Sequence, residues 1–403
     1  MKIGCIRKKI KDFFVDSYNG EKLYLIALFL YIAAEFSETA MFDRWMFLLR
    51  IIKYIPLLLL TLKLVIFDRM SINRFIATMM VMLLACLILI KVGSYAGRCF
   101  FWLMFLVAAY DVSFRKIMKV YLVTTTLFFI ITILAVKMGL IIDLIFPGSG
   151  GGEHQRESFG FSYPTYVSAH LLGMMLSFYY LYHSVLKWWT YIAGIGATAI
   201  LFYFSRTRTG CICLLFLNAG CLILCLFEMN RKKLCDNYHE KKASHFECFF
   251  MPITAIITYL VSVMYDETNP TYAQLNLWLS NRLSLTRAGL INYGISLFGN
   301  PVKLIGFGGS LKSLSVKGYN FVDSFYINSA IKLGIIFVLL VLILHVIACY
   351  KYRDDRWFIL CIMTIALKDM VEIHNAELLA IIFIYAVIAK RDSDVKKSAY
   401  IIQ

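Results

Sequence analysis

The sequence predicts an all-α, polytopic integral membrane protein of about twelve transmembrane helices, on three observations. Of its 403 residues 60% are hydrophobic and only 16% charged, whereas soluble domains carry about 25% charged residues. Mean hydropathy is +0.72 over 46.4 kDa, more apolar side chain than a core of that size can keep from water. Finally, the apolar residues fall in charge-bounded runs, mostly near the length of a helical crossing, about 20 residues. A soluble enzyme, a disordered chain and a single-span receptor are excluded.

The runs lie near 23–41, 46–66, 74–91, 98–112, 117–138, 164–184, 187–204, 209–228, 248–265, 325–349, 357–373 and 375–390. Helices are expected because a lipid-exposed backbone must satisfy its own hydrogen bonds. Before the first run stands a basic segment, Met1 to Lys11, which resembles a signal peptide. Glu35, Phe36, Ser37 and Glu38 make a poor cleavage site, so this run reads as a retained helix. With the N-terminus inside, the connections alternate, and the inner segments hold roughly twice as many Lys and Arg residues as the outer ones. Arg115–Lys119, Arg231–Lys242 and Lys351–Arg356 are short, basic inner connections. This positive-inside bias places both termini in the cytoplasm. The net charge of +16 then reports sidedness, and no nucleic-acid partner is expected.

Residues 1–403 read as one membrane domain with two notable outer loops. The smaller, 139–163, holds Pro147-Gly-Ser-Gly-Gly-Gly152. The larger, 266–324, is too long for a connector, and such loops tend to be functional. In it, Leu275, Leu279, Leu283 and Leu290 recur at near-helical spacing, predicting a helix over 271–298 lying on the outer membrane face. Asn269-Pro270 is its entry signal, Gly299-Asn300-Pro301 its stop, and Gly306–Gly309 a compact turn. Neither loop contains a cysteine, so no disulfide framework is implied. The histidines lack ligand spacing, so no protein-bound metal is expected. The glycines before Lys312 do not match a phosphate loop.

Cationic groups on the outer side are the most informative feature. Arg206 and Arg208, in Ser205-Arg-Thr-Arg-Thr-Gly210, fall at the junction of the seventh and eighth runs; Arg282 and Arg287 lie in the large loop. A charge at bilayer depth costs about 2.5–3.5 kcal/mol, and the outer side is the one that basic residues avoid. Arginine grips phosphate oxygens with two parallel donors and never loses its charge, so a diphosphate site would want these groups; the alternative is snorkelling to lipid headgroups. Asp323, where the loop re-enters the membrane, could accept a proton from a sugar hydroxyl, fix an arginine, or cap a helix. His374, between the last two runs, is a candidate base or sugar ligand or else an ordinary loop histidine, and His170 reads as structural.

These stretches resemble the Wzy-type polymerases of bacterial O-antigen and capsular repeat units, which share a superfamily with the O-antigen ligases. Phe159-Gly-Phe-Ser-Tyr-Pro164 is similar to the aromatic-glycine signature that opens a middle helix, and Ser205–Gly210 to the family's Ser-Arg-Thr-Gly element, either arginine being the match. Leu277-Trp-Leu-Ser-Asn-Arg-Leu-Ser-Leu285, with Tyr293-Gly, Leu297-Phe-Gly299 and Gly306-Phe-Gly308, resembles the large outer loop, with Arg282 in the slot of its key arginine. Asp323, with Gly334 eleven positions on, stands where the ligases carry a histidine and a glycine.

The resemblance implies a GT-C-like helical fold in the bacterial cytoplasmic membrane. It implies substrates linked to undecaprenyl pyrophosphate, no cofactor, membrane lipid as surroundings, and a chain-length regulator protein as a possible partner. It assigns Arg206 or Arg208, Arg282 and Arg287 to the diphosphate, and Asp323 and His374 to the acceptor hydroxyl, with Arg282 also acting on the leaving group. Tyr272, Trp278 and Tyr319 are candidates for sugar stacking. A ligase is the nearest alternative, and a lipid-linked oligosaccharide flippase a more distant one.

Overall fold

The computed structural model describes residues 17–42, 46–68, 70–146, 155–234, 244–306, 319–373 and 381–391. The chain is mostly helical. In its first half come α1 (Ser17–Glu38), α2 (Met46–Ile52), α3 (Ile55–Leu62), α4 (Ile72–Val92), α5 (Gly97–Ala108) and α6 (Phe114–Lys137). A two-residue antiparallel pair, β1 (Ile145–Phe146) with β2 (Arg156–Glu157), is a small departure from an all-α expectation. The second half holds α7 (Pro164–Tyr182), α8 (Trp188–Ser205), α9 (Arg208–Leu234), α10 (His245–Cys248), α11 (Phe250–Met264), α12 (Pro270–Trp278), α13 (Arg282–Tyr293), α14 (Phe325–Lys332), α15 (Ile335–Lys351) and α16 (Arg356–Val371).

Among the described residues three helices are long and apolar enough to cross a membrane: Ile72–Val92, Phe114–Lys137 and the Arg208–Asn230 portion of α9. Gly97–Ala108, Phe250–Met264 and Ile335–Lys351 are shorter apolar helices. On α4, Ile72, Ile76, Met80, Leu83 and Ile90 are all exposed, an apolar stripe that water would penalise and acyl chains would not.

Three expected helices are interrupted, each for a local reason. Over 46–66 the break falls ahead of Pro56, which cannot supply the N–H that a continuous helix needs. Instead Pro56 opens α3, and a π-helical turn, Lys63–Phe67, extends it. Over 325–349 the chain breaks at Leu333-Gly334. Both of their N–H groups return to the Ser329 carbonyl, at 2.7 and 3.1 Å, and Gly334 takes φ +93°, a region that side chains other than glycine's resist. Over 271–298 the predicted helix is two helices. Ser280 and Asn281 adopt left-handed backbone, φ 57° and 64°, and α13 ends at Tyr293 with Gly294 at φ 63°, before the expected stop. The last run, 375–390, lies partly outside the described residues; Tyr385–Val387 form a tight helical turn.

Packing joins distant runs at the centre of the molecule. Helix α9 lies against α7, α8 and α16, and α16 also against α11. Small residues permit the close approaches: a Cβ on Gly210 would stand 2.1 Å from the Ser168 hydroxyl, and one on Gly194 2.0 Å from the Asn218 amide oxygen. As a result the N-termini of α7 and α9 and the C-termini of α8 and α16 gather at one end of this bundle.

A candidate anion site where four helix ends meet

That end holds a cavity of about 920 Å³. Arg206, Arg208, Arg282 and Asp323, named from sequence in three separate segments, all line it.

The turn from α8 to α9 sets the first wall. Arg206 ends α8 in left-handed backbone, φ 51° and ψ 31°, an arrangement usually left to glycine or asparagine. Its Nε is buried without a hydrogen-bond partner among the described residues, while its guanidinium sits 5.8 and 5.6 Å from the Phe202 and Tyr203 rings. Arg208 opens α9, at the end of the helix where free N–H groups favour anions. Arg156 on β2 reaches the same wall; its Nε donates to the Ser205 carbonyl at 3.3 Å, and its guanidinium lies 5.5 Å from the Tyr163 ring.

The large loop forms the opposite wall. Asn276 on α12 turns its side-chain oxygen back onto α13 and accepts from the N–H groups of Leu283 and Ser284, each at 3.1 Å. This substitutes for the intrahelical partners that the first turn of α13 lacks and fixes Arg282 at the helix start. Nε of Arg282 lies 3.4 Å from Asp323 Oδ2, and its Nη1 donates to Thr209 Oγ1 at 3.1 Å. Thr209 Oγ1 in turn donates to Glu372 Oε2 at 3.1 Å. Asp323 is 7% exposed. Burial pushes its carboxyl up to about 6, Arg282 pulls it back, and Glu372 adds to the rise. Burial also pushes the Tyr319 phenol up. Trp278, Tyr319 and Phe321 supply aromatic surface.

Other expectations fare differently. Arg287 is not among the lining residues; it donates to the carbonyls of Val263, at 2.8 Å, and Tyr265, capping the C-terminus of α11. Tyr272 packs edge-on against Tyr265 instead of lining the cavity. His374 lies outside the described residues. His170 is buried, 2.8 Å from Thr39 Oγ1 and with its ring tilted 34° against that of Phe36 at 4.1 Å, in line with the structural role read from sequence. Two participants were missed: Arg156, and Glu372, which is fully buried. An acidic residue at the edge of an apolar run was the available signal for Glu372.

A second cavity, of about 830 Å³, lies at the far ends of α7, α9 and α16, lined by His183, Glu228, Asp354, Trp357 and Arg391 among others. Three of its charged groups are engaged: Arg391 holds Asp354 with two bonds of 2.8 Å, and Trp357 donates to Glu228 at 2.8 Å.

Fold and site together define a helical protein with membrane-length helices and an arginine-lined cavity suited to a polyanion. No protein-family model, curated protein or solved structure matches the chain.

Proposed function

We propose that this chain is a Wzy-type polysaccharide repeat-unit polymerase of the bacterial cytoplasmic membrane. In this reading it has twelve spans, both termini lie in the cytoplasm, and the arginine-lined cavity opens at the outer leaflet. A growing glycan on undecaprenyl pyrophosphate is the donor, and a new lipid-linked repeat unit the acceptor. Asp323, as carboxylate, takes the proton of the acceptor hydroxyl; that oxygen bonds to the donor's anomeric carbon, and undecaprenyl pyrophosphate departs with the electron pair of the broken bond. Negative charge builds on the leaving diphosphate, and fixed guanidinium groups of Arg206, Arg208 and Arg282 stabilise it as it forms. The leaving group is already activated, so the reaction draws on no nucleotide.

One observation carries the reading. Arginines from two segments that the charge pattern assigns to the outer side, 74 positions apart in sequence between Arg208 and Arg282, line one cavity together with a buried carboxylate. A flippase would instead call for charges near mid-membrane. Asp323, standing where the ligases carry histidine, favours polymerase over ligase.

The test is elongation in proteoliposomes given undecaprenyl-pyrophosphate-linked repeat units. The wild-type protein is expected to produce a ladder of longer glycans without added nucleotide. Arg282→Ala loses about 100-fold or more in rate, the scale set by removing one preorganised donor. Arg282→Lys recovers only part, because an ammonium is a point charge without the planar fork. A normal ladder from Arg282→Ala at normal protein level sinks the assignment.

A further inference from the structure

Behind the cavity lining stands a residue that the proposed chemistry does not use directly. Glu372 caps the C-terminus of α16 and is fully buried. It is absent from the cavity lining and stands behind Thr209, to which its Oε2 is bonded at 3.1 Å. Its other oxygen, Oε1, is buried with no hydrogen-bond partner among the described residues. A carboxylate so placed is costly unless something requires its charge.

We infer that Glu372 is a positioning residue: through Thr209 it holds the Arg282 guanidinium in register against Asp323, so that the diphosphate meets a preformed donor and the acceptor hydroxyl a correctly placed base. This rests on the polymerase reading. The geometry divides the work among three elements. Thr209, on the first turn of α9, gives its hydroxyl proton to Glu372 and is thereby left with oxygen lone pairs facing Arg282 Nη1, the bond of 3.1 Å. Arg282 cannot swing toward Glu372 itself, because the threonine stands between them. Its Nε remains on Asp323, and its other donors are left for substrate. Replacing Glu372 therefore releases one side of the guanidinium from outside the cavity lining, and replacing Thr209, which lines the cavity, releases it from within.

The same carboxylate acts on Asp323 by its charge. Arg282 faces Asp323 from α13, Tyr319 from the loop, Arg206 and Arg208 from the α8–α9 turn, and Glu372 from the end of α16. Around Glu372 itself lie Thr209, Cys213, Lys368 and Asp369. Of these neighbours Glu372 is the one that raises the Asp323 carboxyl by its charge, opposing Arg282. Neutralising it lowers the proton affinity of Asp323 while leaving an acceptor for Thr209.

The experiment reads kcat/KM for elongation against pH. Wild-type activity falls on the acid side through about pH 6, where Asp323 takes up its proton. Glu372→Gln shifts that limb to lower pH. Thr209→Val keeps the limb in place, since Glu372 retains its charge, but lowers kcat/KM roughly 10- to 100-fold, the scale of a lost hydrogen bond to a charged group; Thr209→Ser restores it. A Glu372→Gln limb that overlays the wild type, or Thr209→Val with wild-type kcat/KM, overturns the inference, and if Glu372→Gln does not accumulate the threonine pair decides. Wild-type protein that elongates nothing refutes the polymerase reading instead. The positioning role is then read from binding of undecaprenyl pyrophosphate, which Thr209→Val must weaken about tenfold and which an unchanged Kd would refute.

Discussion

Asp323→Asn separates what the site does from what it costs. Burial lifts this carboxyl from its ordinary 3.8 to about 6, against the pull of Arg282. An acid raised in the folded state keeps a proton that the unfolded chain has already released, so native stability falls as pH rises through that interval. Two units at 1.36 kcal/mol each set the loss at roughly 3 kcal/mol by about pH 7. Below about pH 4 both states are protonated and the penalty vanishes. Asparagine mimics the protonated acid in shape and charge. The variant is therefore expected to match wild type near pH 3, to exceed it in stability by about 1 kcal/mol at pH 4.5 and up to about 3 kcal/mol at pH 8, and to be inactive in elongation. A gain that grows by about 2 kcal/mol between pH 4.5 and 8 is the signature, read as thermal unfolding midpoints of detergent-solubilised protein over that range. A stability difference that does not change with pH refutes the reasoning, because it would mean that the folded environment leaves the carboxyl where it is in the unfolded chain.

Two further substitutions separate scaffold from chemistry. Gly334→Ala adds a Cβ 2.3 Å from the Leu297 carbonyl oxygen and 2.5 Å from the Gly299 nitrogen, at φ +93°; backbone on both sides cannot yield, so folded protein recovered by size-exclusion chromatography is expected to fall sharply. Arg287→Ala removes the donor that caps the C-terminus of α11, lowering thermal stability by about 1–3 kcal/mol while elongation per folded molecule stays near wild type; loss of activity at full stability would return Arg287 to the site.

The convergence of Arg206, Arg208, Arg282 and Asp323 was legible because membrane sidedness is a one-dimensional signal: charge counts along the chain sort segments to two faces before any contact is known. Arg287 was misplaced by the same logic, which fixes a face of the membrane but not of the helix. Five residues turn a helix by about 140° from the starting direction, so Arg282 and Arg287 on α13 cannot both face one cavity. The break at Ser280-Asn281 was hidden because the leucine spacing continues across it; the cue was asparagine, which accepts left-handed backbone more readily than other residues with a side chain. Glu372 was beyond reach for a different reason. Its partner Thr209 lies 163 positions away, and only tertiary packing of α16 on α9 makes a terminal glutamate part of an arginine site. The pairing of Gly334 with Asp323 was visible as spacing alone. Its physical content is that the glycine lets the returning loop lie against the α14–α15 break, and so fixes where Asp323 enters the cavity.

The charge balance of the cavity gives the strongest reason to expect a polyanion in it. Among the described residues, four arginines and a single aspartate line the space, and the aspartate is already engaged with Arg282. Arginine cannot relieve the imbalance by deprotonating, and the low-dielectric surroundings magnify the repulsion among like charges. Snorkelling would let each side chain escape toward water on its own, yet Arg156 and Arg282 are tied inward by hydrogen bonds to the Ser205 carbonyl and to Thr209, and Arg206 leaves a buried Nε with no hydrogen-bond partner among the described residues. A bound diphosphate supplies the negative charge and the acceptor lone pairs that these groups lack. The fold thus holds cationic groups in place against their mutual repulsion, and that constraint is released when the anion enters. In the polymerase reading proposed above it would return as undecaprenyl pyrophosphate leaves, which opposes product release until a new diphosphate takes its place.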